Sequence, residues 1–194
     1  MHGGKAMAGN TENGSGRLGS RWRRALWGTA ALLLLAPGVA MQFTEEVAWG
    51  PADFALFGAM LFAACGTYEL AARVTGNTAY RAAAGVALAA AFILVWLNLA
   101  VGIIGSEENP ASLMYGGVLA VGLMGALLAR FQPQGMARAL AGTALAQAVA
   151  AVIALIAGWG NALILTGLFV ALWLTSAQLF RKAAREQRPA GAAP

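Results

Sequence analysis

Six long apolar runs, near residues 25–43, 52–72, 82–104, 111–129, 139–158 and 161–180, limit this chain to very few folds. Each run approaches or exceeds the roughly 20 residues that a helix needs to cross a hydrocarbon core of about 30 Å. Lipid offers backbone groups no hydrogen bonds, so a spanning segment is a helix or part of a closed barrel. The runs are long and do not alternate, which argues against the barrel. The sequence therefore predicts an all-α, polytopic integral membrane protein with six transmembrane helices. Composition agrees, because the chain is 59% hydrophobic and 11% charged, with a mean hydropathy of +0.66. A soluble domain carries about a quarter of its residues charged.

Charge sets the expected orientation. If the N-terminus is cytoplasmic, all 13 Lys and Arg residues fall on the cytoplasmic side of the six spans. Lys5, Arg17, Arg21, Arg23 and Arg24 precede the first span, and Arg73 and Arg81 follow the second. Arg130 and Arg138 follow the fourth, and Arg181, Lys182, Arg185 and Arg188 follow the sixth. The outer loops hold no basic residue, and their charged residues are all acidic, as positive-inside topology requires. Both termini are thus expected in the cytoplasm. A basic rim beside anionic lipid also accounts for the pI of about 10.1 without nucleic acid.

The spans read as a threefold repeat. Arg24-Ala25-x-x-Gly28-Thr29-Ala30 recurs as Arg81-Ala82-x-x-Gly85-Val86-Ala87 and as Arg138-Ala139-x-x-Gly142-Thr143-Ala144, at a spacing of 57 residues. Arg24, Arg81 and Arg138 are thus expected as topology anchors at the feet of equivalent helices. The implied unit is a two-helix hairpin, repeated over about 21–77, 78–134 and 135–182 within one domain of 21–182. Residues 1–20, rich in Gly and Asn, read as a disordered cytoplasmic tail. Residues 183–194 read as a second tail, basic and then Ala/Pro-rich. The first run, closing on Pro37-Gly38-Val39-Ala40, also fits a signal peptide cleaved after Ala40. The repeat favours its retention as a helix. Stripes of small residues, fullest at Gly142, Ala146, Ala150, Ala154 and Gly158, predict close helix packing.

Polar groups define the candidate sites. Glu45, Glu46, Asp53, Glu107, Glu108 and Asn109 form an expected outer acidic cluster, suited to weak association with divalent cations. Within the membrane stand Glu69, Asn98 and Gln147, the last sharing a helix face with Thr143. Glu69 is expected to form an ion pair with Arg73 or Arg81; the alternative is a carboxylate that responds to protons or cations. Cys65 and His2 are the sole residues of their kinds, too few for an intramolecular disulfide or a Cys/His metal cluster. No phosphate loop, His-paired nucleophile or zinc-protease motif is present, and no catalytic residue or cofactor is expected.

Across Ala40–Glu46, Gly102–Pro110 and Gly135–Leu140 the chain resembles a set of small bacterial inner-membrane proteins with no assigned activity. The resemblance covers most of residues 40–185 and leaves the N-terminal tail outside. It implies the cytoplasmic membrane of a bacterium and no activity, cofactor or catalytic residue. Two classes of function remain. One is a non-enzymatic accessory or structural subunit, or a homo-oligomeric bundle, whose partners are the bilayer and a membrane complex. The other is a small transporter or channel for a cation or small solute, entered through the acidic outer loops.

Overall fold

The computed structural model describes residues 9–100, 113–158 and 163–188. They form six α-helices, α1 (Gly9–Ala40), α2 (Pro51–Val74), α3 (Thr78–Ala100), α4 (Leu113–Leu128), α5 (Pro133–Ile156) and α6 (Leu163–Glu186), with no strand among the described residues. The chain is all-α. Four helices, α2, α3, α5 and α6, are long and apolar enough to cross a membrane. The described part of α4 is apolar but has 16 residues, about 24 Å at 1.5 Å per residue. α1 is not among the four, because arginines fill its first half and Pro37 lies inside it.

Local sequence explains most of the boundaries. Pro51 and Pro133 open α2 and α5, where a missing N–H costs nothing and the fixed φ is already helical. Asp53 Oδ2 accepts a hydrogen bond from the Gly50 N–H at 2.8 Å, the N3-to-N-cap arm of a capping box. Asn77 caps α3, its Oδ1 accepting the Tyr80 N–H at 2.8 Å. The α4–α5 turn places Arg130 (φ 49°) and Phe131 (φ 57°) in the left-handed region, and Gly158 (φ 69°) follows α5. α1 begins at Gly9 and runs without interruption to Ala40.

The helices divide into two compact units between Glu69 and Leu70, inside α2. In the first, α1 meets α2 through Trp27 and Phe62, whose ring centroids lie 5.5 Å apart. An added Cβ at Gly58 would rest 3.6 Å from Leu34, and one at Gly38 would rest 3.6 Å from Phe54. Trp49 meets Phe54 and Phe57 edge-on at 5.3 and 5.4 Å.

In the second unit α6 packs against α3 and α5, and α5 against α4. The core sets large aromatics of α6 (Phe169, Trp173, Phe180) into alanine faces of α3 (Ala83, Ala90) and α5 (Ala137, Ala144, Ala154). Tyr80 adds an edge-on contact to Phe180 at 4.9 Å. α4 and α5 approach one another closely. A Cβ built on Gly125 would stand 2.7 Å from Ala139 Cβ, and one on Gly122 would stand 3.0 Å from Thr143 Oγ1.

That contact corrects the expected stripe on α5. Ala150 and Ala154 are buried, but Gly142 has nothing within 4 Å of an added Cβ and Gly158 lies beyond the helix. The small residue that admits close approach is on α4.

α5 also departs from a helix in water. Its buried face carries Thr143 and Gln147 among small apolar residues, while Leu145, Val149, Val152 and Ile156 are exposed. Such a helix suits a solvent of lipid, where outward apolar side chains cost nothing.

Candidate functional site

Of the expected acidic cluster, Glu45, Glu46 and Asp53 lie among the described residues. Glu45 and Glu46 are exposed, and the Glu46 N–H bonds to Thr44 Oγ1. Asp53 is engaged in capping α2. Glu107, Glu108 and Asn109 lie outside the described residues. Among the described residues no group of three or more His, Cys, Asp or Glu side chains could hold a metal ion.

Glu69 takes partners from α1 that the sequence reading did not name. Its Oε2 accepts the Trp27 indole N–H at 2.9 Å, and its Oε1 lies 3.7 Å from Arg23 Nη1. The Glu69 side chain is 17% exposed and that of Arg23 is 59% exposed, so the carboxylate is sheltered while its cation reaches outward. The expected partner Arg81 is committed elsewhere. Its Nε and Nη2 donate to the carbonyls of Thr75 and Ala72, satisfying groups left open at the end of α2.

The three anchor arginines therefore have three different surroundings. Arg24 is exposed on α1, Arg81 closes α2, and Arg138 faces a cleft with residues of α6.

Buried polar groups in the second unit mostly bond across or along helices. Ser176 Oγ of α6 donates to the Ala83 carbonyl of α3 at 2.7 Å. Tyr115 and Thr166 hydroxyls lie 3.5 Å apart, joining α4 and α6. Thr143 Oγ1 donates back to Ala139 O at 3.0 Å. Gln147 differs, being fully buried with no hydrogen-bond partner for either amide atom among the described residues. Trp173 Nε1 is also buried and without one. Asn98 is half-buried on α3. Along their own helices Gln147 lies about 13 Å from Arg138, and Asn98 about 25 Å from Arg81, at 1.5 Å per residue.

The cleft at the basic end is where charged side chains do converge. It has a volume of about 290 Å³ and is lined by Gln134, Ala137 and Arg138 of α5, Arg181, Ala184 and Arg185 of α6, and Arg188 just beyond it. Sequence reasoning counted these arginines as separate marks of orientation. The legible signal was the i, i+4 spacing of Arg181 and Arg185, which puts two guanidinium groups on one helical face, with Arg188 three residues further on. That α5 would add Arg138 could come only from the packing.

Fold and side-chain placement together define a helical protein of membrane type, with four membrane-length apolar helices and an arginine-lined cleft at one end of α5 and α6. No family model, curated protein or solved structure matches the chain.

Proposed function

We propose that this protein is a non-enzymatic component of the bacterial cytoplasmic membrane, an accessory or structural subunit that works as a homo-oligomer or within a larger membrane complex. In this reading six helices span the bilayer as three hairpin repeats, and both termini are cytoplasmic. The observation that carries it is the close packing of α4 on α5. Where an added methyl at Gly125 would stand 2.7 Å from Ala139, neighbouring backbones have no slack for the sliding of a carrier. Exposed apolar side chains such as Leu123, Met124, Leu127 and Ile153 leave broad faces for lipid or a partner helix.

Gentle extraction tests the proposal. Native mass spectrometry should recover a defined homo-oligomer or a stoichiometric partner, and a lone monomer overturns it.

One observation favours the second reading, a small transporter or channel for a cation or small solute. The Gln147 amide is buried without a hydrogen-bond partner, as a group awaiting a passing solute would be. Purified protein in liposomes, assayed against a panel of cations and small solutes, separates the two readings. Flux that Gln147→Leu abolishes supports transport; absence of flux across the panel supports the accessory role.

A further inference from the structure

We infer that the cleft between the start of α5 and the end of α6 binds a phosphoryl group, carried either by a lipid headgroup or by a soluble anion. Four guanidinium groups, those of Arg138, Arg181, Arg185 and Arg188, line one cavity of about 290 Å³. None of the four is ion-paired among the described residues. The carboxylate nearest in sequence, Glu186, is directed elsewhere. It lies 3.9 Å from Lys182 Nζ and accepts a 2.8 Å hydrogen bond from Asn77 Nδ2 at the start of α3.

Helix ends explain part of this cluster but not all of it. Arg185 and Arg188 stand where the partial negative charge at the end of α6 favours cations. Arg138 belongs to the opposite, positive end of α5, where that argument gives it no support. The same end offers backbone donors, because Gln132 at the N-cap makes no side-chain capping bond and Gln134 lines the cleft. An anion between the helices would meet the open first turn of α5 and the guanidinium forks together.

Charge and size select the ligand class. Guanidinium forks match carboxylate and phosphate oxygens equally well in shape. Four of them around one cavity balance a phosphate monoester dianion better than a single carboxylate. The volume lies just under the roughly 300–1,000 Å³ of ordinary small-molecule sites, so it suits a compact group. This inference stands independently of the accessory role, since it concerns local charge chemistry.

The test uses the full-length protein in phosphatidylcholine nanodiscs, titrated calorimetrically with inorganic phosphate and separately with short-chain phosphatidic acid. The wild type should bind at least one of them, more weakly as salt rises. The pair Arg138→Gln with Arg181→Gln should weaken binding roughly ten- to a hundredfold, as expected for losing charged hydrogen bonds. The pair Arg21→Gln with Arg130→Gln removes equal charge outside the cleft and should change it less than about twofold on the same scale. Binding of phosphatidic acid alone assigns a lipid headgroup; binding of phosphate assigns a soluble anion. Equal losses in both variant pairs would overturn the site in favour of a diffuse basic rim, and so would no binding of either probe at millimolar concentration. Phenylglyoxal labelling of the wild type keeps the test independent of variant folding. The bound probe should protect Arg138 and Arg181 but not Arg21 or Arg130, and equal labelling at all four overturns the inference.

Discussion

Gly125→Ala should separate α4 from α5 and destabilise the protein, although alanine is the better helix former. The new Cβ would stand 2.7 Å from Ala139 Cβ and 3.2 Å from Ala139 Cα. Carbon atoms pack best at about 3.5–4.0 Å, so the contact must open by about 1 Å. No flexible side chain can give way, because the obstacle is an alanine on a helix. A gap of about 1 Å forfeits up to roughly half of each dispersion contact across the interface. Overpacking of this kind costs about 1–3 kcal/mol. Replacing glycine within a helix returns about 0.5–1 kcal/mol in water. The net expectation is a loss of up to about 2.5 kcal/mol, and of about 1–3 kcal/mol relative to a glycine replaced where there is room.

Gly117→Ala on the same helix is the control, since nothing lies within 4 Å of its added Cβ. It should be neutral or slightly stabilising. Unfolding by sodium dodecyl sulfate in mixed micelles, followed by tryptophan fluorescence, reads both, with Trp173 buried in the core as a reporter. If Gly125→Ala proves as stable as Gly117→Ala, the close α4–α5 contact is refuted.

Three further expectations use the same assay. Arg130→Gly should stabilise by about 0.5–1 kcal/mol, because an exposed arginine at φ 49° gives way to a residue that adopts this conformation freely; a loss of stability would contradict the turn geometry. Ser176→Ala should cost about 0.6–2 kcal/mol by removing the bond to the Ala83 carbonyl, and no change would mean that α3 and α6 are not joined there. Trp27→Phe removes the indole donor to Glu69 but keeps a ring against Phe62, so it should cost about 1–2 kcal/mol, and Trp27→Leu should cost more; equal losses would place the value of Trp27 in bulk alone.

The helices were legible because lipid leaves a spanning segment so few choices. The run 52–72 became α2 at Pro51–Val74, and 111–129 became α4 at Leu113–Leu128. Two ends moved where polar residues remain helical outside the apolar stretch. α5 begins at Pro133 rather than near 139, and α6 continues to Glu186, supported by Lys182 and Glu186 one turn apart. Partners were less legible. Glu69 also found Trp27 and Arg23, 42 and 46 residues upstream, partners that its sequence neighbourhood did not suggest. Hydropathy ranks residues by their preference for lipid and says nothing of which helix faces turn toward one another. For the same reason Arg138 reads as a topology anchor in the string, and only packing brings it beside Arg181.

Orientation underlies both the accessory reading and the expected reach of the arginine cleft into the cytoplasm. It is tested most directly by labelling single cysteines, introduced into a Cys65→Ala background, with a membrane-impermeant maleimide in intact cells. The account predicts that Glu45→Cys reacts in intact cells, while Arg73→Cys, Arg130→Cys and Arg185→Cys react only after permeabilisation. Labelling of Arg130→Cys or Arg185→Cys in intact cells would contradict it.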